Sequence, residues 1–151
     1  MQKLLSIVDV LSHQIKDFQK VNPTVSKSSV GWHIEHSCLV IIKITETVKQ
    51  SDPSKYQWKF NFKKLVVLAL GKFPRGRAEA PSSVIPVDAI TVESLLKTIE
   101  DTKQAINALV ACEKNQYFTH PIFGELNRPT TLHFLGIHSN HHLSIIEDIL
   151  A

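Results

Sequence analysis

Two histidines near the C-terminus, His138 and His142, have the residue type and the spacing of a metal-binding pair. Residues four positions apart are neighbours on one face of an α-helix, at roughly 5–6 Å between their Cβ atoms. Both imidazoles can therefore turn toward one cation at about 2.0–2.1 Å. His141 falls on the opposite face of this helix, where we expect it to meet solvent or a partner. The spacing predicts part of a metal site, and a hydrogen-bonded cluster of core histidines is the alternative.

A third imidazole is available much earlier in the chain, at His33 or His36, near the start of another predicted helix. Three imidazoles from two helices suit zinc, nickel or iron better than calcium or magnesium, and they leave positions open for water or substrate. The apolar stripe of this helix favours His33 as the inward residue. His36 remains an alternative ligand, because a metal can lie at the polar end of a bundle core. The stripe consists of Val40, Ile41, Ile44 and Val48.

The other ionisable side chains have weaker claims to a site. His13, His120 and His133 are predicted to be surface residues or hydrogen-bonded structural ones. His120 precedes a proline in a loop, His133 lies on the outward arc of the last helix, and His13 lies on the first helix without a ligand-type neighbour. Glu35 and Glu147 fall on predicted outward faces. A carboxylate-rich di-iron centre is therefore disfavoured.

Hydrophobic periodicity predicts four long helices and one short helix, with no strand-like alternation and no internal repeat. This pattern is typical of an all-α four-helix bundle with one short extra helix, and facing side chains of a bundle are a usual place for a metal site. Residues 1–151 are predicted to form a single domain. The predicted helices cover about residues 4–21, 60–71, 88–114 and 129 to the C-terminus. A further helix is predicted to be capped within residues 26–29 and to end at about residue 50.

Two irregular segments interrupt the helices. Residues 73–87 contain three prolines, and a connection of this length in a compact domain is often functional. Arg75 and Arg77 in this segment are candidates for binding a substrate carboxylate, with solvated surface arginines as the alternative. Residues 115–129 are predicted to be a second irregular segment, whose aromatic side chains pack on the bundle.

Composition limits the classes of function. A chain of 151 residues with 43% hydrophobic content can bury a core without a structural metal, so a metal here is expected to be functional. The formal charge of +3 is small and mostly dispersed, which argues against nucleic-acid and membrane partners.

Cellular location and assembly are also expectations from the sequence. Cys38 and Cys112 lie in apolar helical sequence without CxxC spacing, which predicts reduced, buried thiols and leaves a disulfide open. The N-terminus lacks the pattern of a signal peptide, and no apolar run approaches the length of a membrane span, so a cytoplasmic protein is expected. The first helix or residues 60–70 could supply a homodimer interface.

Three motifs give the chain a family resemblance. They are Val30-Gly31-Trp32-His33-Ile34-Glu35-His36, His120-Pro121-Ile122-Phe123-Gly124-Glu125-Leu126 and His138-Ser139-Asn140-His141-His142-Leu143. With these motifs the chain resembles the DinB-like superfamily of metal-binding four-helix bundles, in particular a branch with an H-P-x-F-G loop and a final-helix H-x-x-H-H motif.

The resemblance implies a particular set of metal ligands. The family's helix-two histidine matches His36, and its paired histidines on the last helix match His138 and His142. The resemblance therefore prefers His36 to His33, against the periodicity. His33 and His141 are kept as alternative ligands or as groups that hydrogen-bond to a ligand. The chain departs from the family at Ser37-Cys38, where members more often carry a leucine.

The resemblance also implies a class of activity. Characterised relatives look like metal-dependent enzymes that transfer or isomerise small molecules with low-molecular-weight thiols. We therefore expect a zinc- or nickel-dependent transferase or hydrolase that acts on a small molecule or a thiol. A non-catalytic metal-binding or dimerising bundle, such as a stress-related interaction module, is the alternative. Direct action on DNA is disfavoured by the dispersed charge.

Overall fold

The computed structural model describes residues 2–73 and 82–151, and it shows the predicted all-α bundle with one short extra helix and an added hairpin. Short 3₁₀ turns occupy Gln14–Asp17, Pro53–Lys55 and Ser82–Val84. The longer elements are α1 (Gln2–His13), α2 (Val30–Gln50), α3 (Phe62–Leu70), α4 (Val92–Ala111), β1 (Tyr117–His120), β2 (Gly124–Asn127) and α5 (Arg128–Leu150).

The four long helices pack around one apolar core. α2 lies against α4 and α5, and α1 lies against the same two helices, whereas α3 makes its helix contacts with α5. Each long helix buries a stripe of residues at three- and four-residue intervals, as amphipathic helices of a bundle do. Fully buried large side chains of the core include Leu11, Ile34, Ile41, Leu95, Ile106, Leu109, Leu135 and Ile146.

The start of α2 is positioned by a cap and by a close approach of two backbones. The Ser29 side chain accepts a hydrogen bond from the Trp32 N–H at 3.2 Å, which satisfies one of the donors that a helix start leaves unpaired. The Gly31 N–H donates to the Phe18 carbonyl at 2.8 Å. A Cβ atom on Gly31 would meet that carbonyl oxygen at 3.0 Å, so only glycine allows the approach without displacement.

The start of α5 is fixed in a similar way. Asn127 caps the helix by accepting from the Thr130 N–H at 3.3 Å, and Pro129 occupies the first turn, where its missing N–H costs nothing. The Arg128 guanidinium donates to the carbonyls of Val110 and Cys112, which ties the start of α5 to the end of α4.

Two predicted helix boundaries were wrong. α1 ends at His13 and continues only as a 3₁₀ turn to Asp17, short of the predicted end at about residue 21. α4 is capped by Thr91 and not at residue 88, because the side chains of Thr91 and Ser94 each accept from the other's backbone N–H at 3.0 Å. This reciprocal capping box satisfies two helix-start donors, and Asp88 remains outside the helix.

The prediction of an irregular segment at residues 115–129 was wrong in part. Residues 115–129 are not irregular throughout, since β1 and β2 pair antiparallel with Phe118 opposite Leu126. These two side chains are buried on the bundle. Gly124 closes the turn with φ of 70°, a conformation that favours glycine. Each strand has only four residues, which is too short for apolar alternation to stand out in the sequence.

The remaining expectations concern cysteines and membrane spans. Cys38 and Cys112 are buried free thiols, as predicted, and no disulfide joins them. Among the helices of residues 2–73 and 82–151, none is long and apolar enough to cross a membrane.

Candidate metal centre

The first two turns of α2 carry two histidines into the bundle. His33 and His36 are both 4% exposed, and they lie three residues apart, so they are neighbours on the helix surface. Trp32 packs against both, with its ring stacked on His36 at 4.9 Å between centroids and edge-on to His33 at 5.2 Å. The indole therefore restricts the orientation of both imidazoles.

α5 brings the second pair of histidines to the same place. Ring centroids are 4.7 Å apart for His138 and His142, 4.7 Å for His36 and His142, and 5.3 Å for His36 and His138. One side-chain nitrogen from each of the three residues lies within 4.8 Å of the other two. The contact between α2 and α5 thus assembles the three histidines that the family resemblance selects.

The hydrogen bond of His36 determines which of its nitrogens is available. His36 Nδ1 lies 2.8 Å from the backbone carbonyl oxygen of Val84. Since a carbonyl only accepts, Nδ1 carries the proton and donates, and Nε2 keeps its lone pair. A hydrogen bond of this kind is typical of metal-binding histidines, because it sets both the tautomer and the ring orientation.

A chain of three side chains ends at His142. His33 Nδ1 lies 3.0 Å from His142 Nδ1, and His33 Nε2 lies 3.0 Å from Ser26 Oγ. Ser26 Oγ also accepts from the Ser28 N–H at 3.1 Å. The Ser26 hydroxyl therefore anchors His33, and His33 in turn occupies one nitrogen of His142.

His138 has a buried nitrogen without a partner. Within the described part of the chain, its Nδ1 makes no hydrogen bond although the atom is shielded from solvent. The ring lies among aromatic side chains, with Phe134 at 6.2 Å and Phe73 at 6.3 Å between centroids. A buried imidazole nitrogen without a partner costs free energy, so this atom is one that a ligand would satisfy.

Burial keeps these imidazoles neutral. It lowers the pKa of His33 to about 4 and that of His138 to about 3, and neighbouring imidazoles add to both shifts. Burial also lowers the pKa of His142, again reinforced by its neighbours. The pKa of His36 is lowered by burial, against which its hydrogen bond to Val84 acts. Neutral imidazoles at pH 7 are the form that binds metals.

The donor set fits a divalent transition metal. A cation with nitrogen ligands at about 2.0–2.1 Å holds those atoms no more than about 4.2 Å apart, so the rings need only a small closure. Three neutral imidazoles favour zinc, nickel, copper or iron over magnesium and calcium, which prefer oxygen ligands. Among the described residues, the candidate group consists of the three imidazoles and contains no carboxylate.

The other candidate residues lie in different surroundings. His133 and His13 are exposed. His120 is half-buried in the hairpin, where its Nδ1 accepts from the N–H groups of Ile122 and Phe123 at 3.1 and 3.3 Å, which is a structural role. Arg75 and Arg77 lie outside the described residues.

His141 and Glu35 differ from their predicted positions. His141 is half-buried, and its ring lies 5.3 Å from that of His142 and 6.1 Å from that of Phe73, so it borders the centre. Glu35 is half-buried too, and burial raises its pKa with the help of the nearby Asp88. Both lie on the flanks of their helices. A helical-wheel projection of a single helix does not show the other segments that pack against those flanks.

Three contributors to the centre were not predicted. The hydroxyl of Ser26 and the carbonyl of Val84 come from connecting segments, and no sequence signal identifies a backbone carbonyl as a partner. Trp32 could have been noticed, because an aromatic residue adjoins His33 in the sequence.

Comparison with known proteins supplies one match. A family model, the DinB superfamily, matches residues 3–146 and so covers all three motifs and all of the bundle except the last four residues of α5 and the first of α1. Searches of curated proteins and of solved structures found no match.

Proposed function

Since the chain belongs to the DinB superfamily, we propose that it is a metal-dependent enzyme in which His36, His138 and His142 hold a divalent transition metal. One observation carries this proposal: three neutral imidazoles from two helices, buried at His36 and His142 and half-buried at His138, offer nitrogens within 4.8 Å of one another. The unpartnered Nδ1 of His138 supports it, because a core cluster without a cation would leave that atom unsatisfied.

Zinc and nickel are the proposed ions. Both accept imidazole ligands readily, and three protein ligands leave coordination positions open, which is typical of catalytic sites and not of structural ones. When bound, the cation would act as a Lewis acid that lowers the pKa of a thiol or a water molecule at the open position.

The protein's own side chains would orient the ligands and shape the entrance. His36 donates to Val84, and His33 links His142 to Ser26, so the rings of two ligands are held by hydrogen bonds. Phe73 lies edge-on to His138, with 6.3 Å between the ring centroids, and borders one side of the centre. The proposed reaction is a transfer that uses a low-molecular-weight thiol, or a hydrolysis, on a small molecule. Arg75 and Arg77 are proposed to bind a substrate carboxylate.

Metal content measured by plasma mass spectrometry on tag-free protein tests the proposal. We expect about one equivalent in wild type and a loss in His36→Ala and in His138→Ala. His133→Ala is the matched control, since His133 is exposed on the same helix, and it should retain the metal. Metal-free wild type after reconstitution with zinc and with nickel would overturn the proposal. Retention in His36→Ala would make His33 the upstream ligand.

Catalysis is tested separately from metal binding. Metal-loaded protein is assayed for thiol transfer and hydrolysis before and after chelation, while circular dichroism reports whether the bundle stays folded. We expect activity that chelation removes and that the same metal restores. Full metal occupancy without any activity across thiol and ester substrates would favour the non-catalytic metal-binding bundle.

A further inference from the structure

A separate surface combines exposed aromatic side chains with lysines. Trp58, Phe60 and Phe62 are 68%, 69% and 68% exposed, and Leu65 on α3 is 56% exposed. Large apolar side chains are seldom so exposed in a group, and such patches mark sites that bind a partner or a membrane. Here the lysine–aromatic surface means Trp58, Phe60, Phe62 and Leu65 together with Lys55, Lys59 and Lys63.

The apolar residues of the lysine–aromatic surface are contiguous. Trp58, Phe60 and Leu65 line one shallow cavity of about 160 Å³. Leu65 lies three residues after Phe62 on α3, so these two side chains are neighbours on the helix surface. The surface is therefore one patch and not a set of scattered apolar side chains.

α3 has apolar side chains on two faces. Val67 and Leu68 are half-buried and pack against the core. Phe62, Leu65 and Leu70 are exposed, whereas Lys64 is 8% exposed and its Nζ donates to the Lys59 carbonyl at 3.2 Å. A surface helix normally keeps its large apolar side chains on the buried face, so the outer side of α3 is a candidate docking surface.

The segment is held firmly by the hairpin. The Gln57 N–H donates to Glu125 Oε2 at 2.6 Å, and Asn61 Nδ2 donates to the Ile122 carbonyl at 2.9 Å. Asn61 also caps α3 through its Oδ1, which accepts from the Lys64 N–H at 2.9 Å. The aromatic side chains are thus presented by a fixed scaffold.

Charge distinguishes between the occupants that could cover this surface. Between Asp52 and Glu79 the sequence contains five lysines, two arginines and no acidic residue. Lys59 and Lys63 are exposed and adjoin the aromatic residues in the sequence, and Lys55 is exposed with its Nζ 3.7 Å from Asp52 Oδ2. In a symmetric dimer through this surface the same lysines would face each other, which is unfavourable. An anionic lipid surface provides both an apolar layer and negative charges.

We propose that the lysine–aromatic surface docks the protein peripherally on anionic lipid bilayers. The aromatic side chains would enter the boundary between headgroups and acyl chains, and the lysines would pair with anionic headgroups. This proposal departs from the expectation of no membrane partner, which rested on the net charge of +3. The net charge of the whole chain does not reveal this basic segment, because acidic residues elsewhere in the chain balance it.

Co-sedimentation with vesicles tests the proposal. Wild type is expected to bind vesicles of equal parts phosphatidylcholine and phosphatidylglycerol, and to bind pure phosphatidylcholine at least tenfold more weakly. Added salt should weaken the binding. The double variant Lys59→Glu/Lys63→Glu is expected to lose more than tenfold in partitioning, since each lysine contributes about fivefold. Trp58→Ser/Phe60→Ser should lose at least tenfold as well.

Matched controls separate this surface from general effects. Lys27→Glu/Lys114→Glu makes the same change in charge at exposed lysines elsewhere, and Val21→Ser/Leu96→Ser removes two other exposed apolar side chains. Both controls should stay within about threefold of wild type. Absence of binding by wild type, or equal losses in the controls, would overturn the proposal. So would a wild-type dimer in sedimentation velocity that Trp58→Ser/Phe60→Ser converts to monomer, because a second copy would then cover the surface.

Discussion

The Nδ1 atoms of His33 and His142 lie 3.0 Å apart, so one of these nitrogens carries a proton and donates a hydrogen bond that the other accepts. If His142 Nδ1 donates, its Nε2 keeps a lone pair for a metal. His33 then carries its own proton on Nε2, and this N–H donates a hydrogen bond to Ser26 Oγ. If His33 Nδ1 donates instead, the proton of neutral His142 sits on Nε2, which is then blocked. Metal binding through Nε2 therefore selects the first arrangement, which Ser26 can accept.

Replacing His33 should weaken metal binding without removing a ligand. His33→Phe keeps a ring in the buried position but removes both nitrogens, and we expect the metal affinity to fall about 10–100-fold. His33→Gln should recover part of the loss, because its amide oxygen can accept from His142. Competition with a chromogenic chelator measures the affinities. An unchanged affinity in His33→Phe, in a variant that remains folded, would contradict the proposed role.

Trp32 should report metal binding by fluorescence. Its ring is stacked on His36 with 10° between the planes, so a cation on His36 changes the electrostatic surroundings of the indole. The chain has two tryptophans, and Trp58→Phe leaves Trp32 as the only one. In that background we expect the emission to change with added zinc and to saturate at about one equivalent. His36→Ala should abolish the change, and a change of equal size in that variant would argue against His36 as a ligand.

Stability of the metal-free protein should fall in mild acid. Burial lowers the pKa of His33 to about 4 and that of His138 to about 3, below the ordinary value of 6.5. The unfolded chain therefore binds protons below pH 6.5 that the folded chain does not. The free energy of unfolding should be highest above pH 6.5 and should decrease below it, by up to about 1.4 kcal/mol per pH unit for each histidine.

Urea denaturation of chelated protein at pH 7.5 and pH 5.5 measures this dependence. His33→Phe should show a smaller difference between the two pH values than wild type, because one buried imidazole is absent. Equal free energies of unfolding at both pH values in wild type would show that the histidines are not held neutral by the fold.

Two glycines on the long helices should respond oppositely to alanine. At Gly31 the added Cβ would lie 3.0 Å from the Phe18 carbonyl oxygen and 3.1 Å from Ile90 Cγ2. We expect Gly31→Ala to lower the free energy of unfolding by about 1–3 kcal/mol. At Gly136 the Cβ meets nothing within 4 Å, so Gly136→Ala should raise it by about 0.5–1 kcal/mol through helix propensity. Stabilisation by Gly31→Ala would contradict this prediction, because the segment that carries the Phe18 carbonyl would then shift without a cost in free energy.

Local signals predicted most of the helices correctly. The apolar periodicity located α2, α3 and α5, and the stop at Gly71 is a left-handed helix end with φ of 63°. The hairpin was missed because its strands are held by pairing across the turn and by packing of Phe118 and Leu126 on the bundle. α1 was predicted too long, since the 3₁₀ turn after it continues the same apolar spacing through Ile15.

The sequence by itself determined the bundle and the pairing of His138 with His142, because both follow from spacing within one helix. Only the tertiary structure decided how α2 meets α5. It brings His36 next to that pair and turns His33 toward the other nitrogen of His142. This arrangement depends on the rotation and crossing angle of two packed helices. His33 and His142 are 109 positions apart in the sequence, so no local sequence pattern indicates their contact. The hydrogen bonds of Ser26 to His33 and of Val84 to His36 also depend on the tertiary structure, because both partners lie in connecting segments that the packed helices hold in place.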